Sequence, residues 1–345
     1  MIEIISYVAD ALPAPDPADL RAARTVPASK AEHDRIARGI TALSAVEYRP
    51  PEKTVPPRGR LRIAAWNAER LKYAAPSAAL LNALDADIVL LSETDVGMAR
   101  SGNRHTTADL AAALGMGYAY GVEFVELGLG DAREQAWHQG QRNAVGLHGN
   151  AILTRLPLQD LVLIRLDAGG RWFADRPNGG GNQRRLGGRM ALAGRVGTDA
   201  GDLVVVSLHL ESDSDANDRA QQMTRLLAAL NARYGAARMV IGGDCNTAEF
   251  PAGDDSRIWA DRCEAYEPLF EVMREAGFDW RDANDMAPTQ RQRPDGRPLP
   301  PFHRIDWLFT RGVAASAART IAAVDDKGAA ISDHDALVVD LAIER

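Results

Sequence analysis

The chain is 345 residues long, 46% hydrophobic and 25% charged, with a formal net charge of -7. These proportions fit a globular protein with a substantial core and exclude a disordered chain; no apolar run approaches the roughly 20 residues of a bilayer span. The acidic balance argues against broad binding to duplex DNA, which needs a basic face, without excluding a local basic cluster.

Residues 1–58 read as an extension rich in Ala, Pro and Arg. Its helical pattern runs over 17–45, breaks near Pro27, and gives way to a linker spanning Pro50-Pro51 and Pro56-Pro57. The main domain, 59–345, opens with an apolar run at 61–66 that ends in Asn67-Ala68-Glu69. A second run, 88–91, ends in Ser92-Glu93-Thr94-Asp95. A helix follows at 107–114, with a threonine start and a Gly115 stop. Residues 127–149 read as a long loop carrying Trp137, His138, Arg142, Asn143 and His148. A second loop-like stretch, 169–189, is rich in glycine and holds Arg171, Arg176, Arg184, Arg185 and Arg189. Most of these arginines read as solvated, and one or two as a bidentate phosphate clamp. Long connections in compact domains are usually functional or disordered, so both stretches are expected to shape a substrate mouth.

The run 203–208 ends in His209-Leu210-Glu211. Residues 217–234 form a helix, with Met223, Leu226, Leu227 and Leu230 spaced to share one face and Gly235 after them. The apolar triplet Met239-Val240-Ile241 leads into Gly242-Gly243-Asp244-Cys245-Asn246, and near the chain end the run 304–309 precedes Ser332-Asp333-His334-Asp335 and a last apolar run, 336–341. Short apolar runs bounded by polar residues are buried strands. Taken singly, Asn67 reads as a helix cap, Glu93 as a solvated acid and His209 as a surface imidazole. Five strands ending in the same kind of chemistry predict instead that these groups converge on one rim. The two cysteines, Cys245 and Cys263, give no disulfide framework and suit a reducing compartment. The N-terminus lacks the basic flank and apolar stretch of a secretory signal, so the expected location is cytoplasmic.

The Gly-Asp-x-Asn of residues 243–246, followed near the chain end by Ser332-Asp333-His334, resembles the endonuclease/exonuclease/phosphatase superfamily, as does the central segment Gly149-Asn150-Ala151-Ile152-Leu153-Thr154-Arg155. The resemblance covers roughly residues 60–345. It implies an α/β fold, a four-layer α/β/β/α sandwich with two packed mixed sheets. It also implies a Mg²⁺-dependent hydrolase of phosphate esters, with Mn²⁺ as the other plausible ion, because hard divalent cations take oxygen ligands and neutralise an anionic ester. Metal ligands are expected at Glu93, Asn67 and Asp333. Glu69 stands where some members place an aspartate that also serves the metal, and is a further candidate ligand. His334 is expected to deprotonate a water, oriented by Asp306. Asp244 is expected to orient that water or share the proton, Asn246 to hydrogen-bond a non-bridging phosphate oxygen, and His209 to contact the phosphate or protonate the leaving group. Arg185, Arg189 and Asn150 are candidate substrate contacts.

The expected substrate is a small-molecule or lipid phosphoester cleaved by a phosphodiesterase or phosphatase, with a Mg²⁺-dependent nuclease acting on DNA or RNA as the alternative. The tyrosine that marks apurinic-site endonucleases is not found in register, and duplex DNA is possible but not favoured. The presence of Glu93, His209, Asp244, Asn246, Asp333 and His334 together argues against a non-catalytic binding protein. The sequence leaves the oligomeric state open.

Overall fold

The computed structural model describes residues 3–56, 58–174, 183–251, 259–293 and 301–344. Arg176, Gly179-Gly180-Gly181 and Pro57 lie outside the described residues. Among the described residues, one sheet has six strands in the order β1 (Ile4–Ile5), β8 (Leu158–Arg165), β10 (Met190–Thr198), β11 (Gly201–His209), β12 (Met239–Asp244) and β13 (Asp306–Arg311). The other has nine. Eight run in the order β14 (Ala314–Ile321), β15 (Ala336–Ala342), β4 (Arg60–Arg70), β5 (Ile88–Val96), β7 (Leu147–Thr154), β6 (Gly117–Glu126), β3 (Val46–Arg49) and β2 (Val8–Ala9), and β9 (Arg185–Gly187) pairs with β6. Both sheets mix parallel and antiparallel pairs, as in β4 with β5 and β11 with β12 against their antiparallel neighbours.

Strand alternation builds the layers, because successive side chains leave a strand on opposite faces. On β4, Ile63 and Ala65 join the apolar layer between the sheets, whereas Ala64 and Trp66 face the outer helices. On β11, Leu203 and Val205 point inward, and Val204, Val206 and Leu208 point outward. The helix α7 (Ala216–Tyr234) covers that outer face through Met223, Leu226, Leu227 and Leu230, together with α8 (Leu269–Glu275). Asp215 caps α7 by accepting from the Asp218 amide, and Gly235 ends it at φ 63°. On the nine-stranded side, α3 (Ala74–Leu84) and α4 (Thr106–Leu114) pack on the outward face. The architecture is therefore the expected α/β sandwich.

The stretch read as a helical extension is woven into both sheets. Its helices, α1 (Pro17–Thr25) and α2 (Lys30–Ala37), are separated at Pro27, and its strands β1, β2 and β3 pair with β8, β3 and β6. The two stretches read as loops also hold structure. Residues 127–149 include α5 (Ala132–Trp137), whose Asp131 and Glu134 form a reciprocal capping box, and residues 169–189 include α6 (Arg171–Ala174) and β9. The described arginines of the latter stretch all have partners, though the Arg171 side chain remains 37% exposed. Arg171 meets Asp218 at 2.9 Å, and Arg184 donates to the carbonyls of Ala23 and Val26 at 3.0 and 2.9 Å.

Two glycines let the sheets close on the rim. A Cβ at Gly242 would come within 2.7 Å of Leu308 and 2.9 Å of Leu90, a side chain from each sheet. Gly243 has φ +147°, where a Cβ would lie 2.0 Å from the Leu208 carbonyl oxygen. Beneath the rim a chain of charges ties three segments together. Glu93 pairs with Arg70 at 3.0 Å, Arg70 with Glu134 at 3.0 Å, Glu134 with Arg100 at 3.2 Å, and Arg100 with Asp95 at 2.9 Å.

Burial would raise the Glu134 carboxyl, but Arg70 and Arg100 hold it down at about 2, against an ordinary value of 4.5. Burial opposes ionisation of Asp95 too, and Arg100 with His148 nevertheless holds it well below its usual range. A carboxyl whose folded value is depressed contributes stability above its unfolded value and loses it as pH falls toward the folded one. The melting temperature is therefore expected to be flat from neutrality down to about pH 5 and to fall between pH 4.5 and about 2, the interval set by Glu134. Calorimetric melts across that range check this, and Glu134→Gln is expected to lower the neutral-pH melting temperature and shrink the acid slope.

Candidate active site

The strand ends gather as a row. Across neighbouring strands of the six-stranded sheet, His209 is in register with Asp244, and Asp244 with Asp306. Opposite them, β4 carries Asn67 and β5 carries Glu93 near their C-terminal ends, because these two strands run parallel and reach the same rim. His334, just before β15, closes the ring. Its Nδ1 lies 2.8 Å from Asp306 Oδ2, and its Nε2 lies 3.8 Å from Asp244 and 3.9 Å from Asp333. The cleft above them measures about 560 Å³ and is lined by Glu93, His209, Asp244, Asn246, Asp333 and His334 among others.

The acidic side of the cleft is held together by a few donors. Asn67 Nδ2 donates at 3.1 Å to both Glu93 and Asp244, so its amide bridges two carboxylates while its oxygen accepts from the Glu69 amide. Asp244 Oδ1 accepts from the Asn246 amide at 2.8 Å. The Asn246 side chain is turned back, with Nδ2 donating to the Leu210 carbonyl at 2.9 Å. Glu93 and Asn246 sit at φ 56° and 50°, and Glu69, Arg70 and Leu71 at 41°, 71° and 53°. Left-handed backbone at non-glycine residues clusters where the surrounding structure overrides local preference.

The charges are only partly balanced. Burial opposes the charge of Glu93, yet Arg70 and the nearby His209, His148 and His334 hold its carboxyl well below the ordinary range. Burial and Asp306 raise Asp244 despite His334 and His209, and burial and Asp333 raise Glu69 despite Lys72. Burial would lower the His334 imidazole, but Asp306 and Asp244 carry it well above its ordinary value. Asp306 Oδ1 and Glu69 Oε2 are buried without a hydrogen-bond partner among the described residues. Asp244, Asp306 and His334 each offer a ligand atom within 4.8 Å of the others. Carboxylates short of positive charge, with orphaned oxygens, fit a hard divalent cation.

Several residues that shape the site were not singled out in the sequence. Arg70, on a turn of three left-handed residues, supplies the basic partner of Glu93. Arg293 meets Asp333 at 2.6 Å. Glu123, held down to about 2 by Arg189 and His209 against its burial, lies behind His209. Arg189, expected to grip substrate, is 6% exposed and committed to the protein, at 2.5 Å from Glu123, 2.9 Å from His209 Nδ1 and 3.4 Å from Glu211. A guanidinium only donates, so His209 Nδ1 holds the lone pair and Nε2–H points toward Asp244, 3.5 Å away. Arg185 lines the cleft as Arg189 does, bonded to Glu126 at 2.9 Å and lying over the Phe124 ring. Asn150 does not reach the cleft wall. It is fully buried and donates to the Met190 carbonyl at 3.2 Å. Cys245 is fully buried, and burial pushes its thiol far above the ordinary value, which suits packing and not chemistry.

No curated protein matches the chain. Among solved structures, an endonuclease/exonuclease/phosphatase from Beutenbergia cavernae is 23% identical with a TM-score of 0.54, over 83% of this chain and 72% of that one. The human Nocturnin catalytic domain with bound sulfate is 18% identical with a TM-score of 0.51, over 85% and 99%. A mannosyl-6-phosphatase from Bacteroides thetaiotaomicron is 16% identical with a TM-score of 0.52, over 81% and 99%. At such identities the likeness is one of fold. The model of the Endonuclease/Exonuclease/phosphatase family matches residues 64–334, well over half of the sequence. The chain therefore belongs to the endonuclease/exonuclease/phosphatase family, a group of phosphoester hydrolases.

Proposed function

We propose that this phosphoesterase is a Mg²⁺-dependent hydrolase of a compact phosphoester, a small molecule or a lipid headgroup, with water as the nucleophile. The observation that carries the reading is the ring of Asn67, Glu93, His209, Asp244, Asp306 and His334 around one cleft. Glu93, Asp333, Asp244 and Glu69 would hold the cation, with Asn67 fixing two of the carboxylates. Bound there, a divalent cation supplies Lewis-acid stabilisation of the phosphoryl oxygens and the departing oxygen. The chain's own residues do the rest. Asp244 orients the water, and the proton enters the Asp244–His334–Asp306 chain, whose members are linked at 3.8 and 2.8 Å. His209, with its Nε2–H fixed by Arg189 behind it, donates to the phosphate or to the leaving oxygen. Compactness rests on the size of the cleft and on its arginines, whose charge is largely taken up by Glu93, Glu123, Glu126 and Asp333.

Excess chelator is expected to abolish hydrolysis, and added Mg²⁺ or Mn²⁺ to restore it, in a panel of sugar phosphates, phosphoinositides, sphingomyelin, nucleic acids and chromogenic esters. Glu93→Gln is expected to weaken Mg²⁺ binding by calorimetry and to lower activity in parallel; full turnover in chelator overturns the metal assignment.

His209→Ala and His334→Ala are each expected to keep the native circular dichroism and cut kcat by roughly 10²-fold or more. The double variant should lose far less than the product of the two. Near-normal kcat in either single variant removes that residue from the mechanism.

For a compact substrate, KM is expected to change little between about 50 and 200 mM salt, the range in which a protein neutralising six or more DNA phosphates loses about 10³-fold in affinity. Plasmid nicking that is rapid at low salt and collapses with added salt would return the protein to the nuclease reading.

A further inference from the structure

A third histidine faces the same cleft, and the mechanism above does not use it. His148 sits on β7, is 3% exposed, and lines the cleft beside Phe124, Arg185 and Arg189. Its ring stacks on Phe124, with centroids 4.6 Å apart and planes inclined by 26°. Behind it Nδ1 lies 2.7 Å from Asp95 Oδ1, and Asp95 is itself gripped by both ends of Arg100 at 2.9 and 3.0 Å. Arg100 Nη2 also approaches Nδ1, at 3.1 Å. A carboxylate can only accept and a guanidinium can only donate, so the shorter contact decides the tautomer, and Nδ1 carries the proton given to Asp95. Nε2, at the opposite edge of the ring, then holds a lone pair, and it has no hydrogen-bond partner among the described residues.

The lone pair on Nε2 restricts what can bind against it. A phosphate oxygen is also an acceptor and is repelled by it. The complementary partner is a neutral donor, and the donors of compact phosphoesters are hydroxyls on the group esterified to phosphorus. We propose that His148 is a specificity-determining residue that accepts a hydrogen bond from a hydroxyl of the substrate's alcohol portion, so that the substrates are esters of polyols such as sugars, glycerol or cyclitols. Burial pushes this imidazole below its ordinary value despite Asp95, which keeps Nε2 unprotonated at neutral pH. The Asp95–Arg100 pair and the Phe124 ring hold the imidazole in place before substrate arrives. The inference rests on the phosphoesterase reading and names its substrate class.

The test compares kcat/KM in Mg²⁺ for two hydroxylated probes, a hexose 6-phosphate and glycerophosphoglycerol, with two lacking hydroxyls, p-nitrophenyl phosphate and bis(p-nitrophenyl) phosphate. His148→Ala is expected to lose roughly 10-fold or more on the better hydroxylated probe, the scale of one buried hydrogen bond to a substrate. On the chromogenic ester it should stay within about 3-fold. His148→Gln, which returns an acceptor near the Nε2 position, is expected to recover part of the loss. His148→Phe keeps the stack on Phe124 without an acceptor and should show the same selective loss, so it carries the comparison if the alanine variant fails to fold. Equal losses on both kinds of probe, no loss on either, or a wild-type protein that cleaves only the chromogenic esters would each overturn the assignment. A wild-type protein that cleaves none of the four, and none of the wider panel, overturns the hydrolase reading instead.

Discussion

The rest of the structure depends on crowding acids at one rim without letting them repel the fold apart. Glu69, Glu93, Asp244, Asp306 and Asp333 belong to strands or strand ends of both sheets, and all but Glu93 are buried by residue. Two like charges a few ångströms apart cost energy that grows as water is removed. The protein answers with arginines set in the cleft wall beside them: Arg70 against Glu93, Arg293 against Asp333, and Arg189 against Glu123 and Glu211. What stays uncompensated is local. Asp244 and Glu69 are raised by burial and their acidic neighbours, and the His334 imidazole is raised by Asp306 and Asp244. The residual negative charge is concentrated where a cation would sit.

That distribution also explains why the guanidiniums of this cleft are poor evidence for nucleic-acid binding. An arginine that already serves a buried carboxylate cannot also neutralise a backbone phosphate without leaving that carboxylate exposed to the full cost of burial. Arg189 illustrates the limit. Its side chain is 7% exposed and meets Glu123, Glu211 and His209 at once, so its first effect is on the tautomer of His209 and only its second on substrate.

The rim itself was legible in the sequence because strands place chemistry at their ends by simple rules. An apolar run followed by a carboxylate, amide or imidazole pointed to Asn67, Glu93, His209 and Asp244, whereas Asp333 and the pairing of Asp306 with His334 followed from a family resemblance. The supporting groups were not legible, because their partners are distant in the chain and carry no local signature. Asp95 and His148 are 53 residues apart, and Glu123 and Arg189 are 66 apart. Arg70 reaches Glu93 only because Glu69, Arg70 and Leu71 turn through left-handed backbone with no glycine to announce it. A hint was available in hindsight. A half-buried acid such as Glu93 calls for a partner, and Arg70 stands at the end of the adjacent strand.

The N-terminal segment shows how far such support extends. Proline and alanine made it look like an appendage, yet its two helices grip the strand that carries Arg185. His33 Nε2 accepts from the Gly187 amide at 3.0 Å, and Arg24 donates to the Leu127 carbonyl at 2.8 Å. Just before β9, Arg184 reaches back to the carbonyls of Ala23 and Val26, capping the end of α1. The ring of His33 also packs near Gly169 and Gly170, where a Cβ would come within 3.0 and 3.1 Å of it. β9 has three residues and, among the described residues, pairs with β6 alone, too little to fix an arginine over Phe124 by itself. Its position is therefore set from outside the sandwich, by residues that the sequence pattern assigns to another part of the molecule.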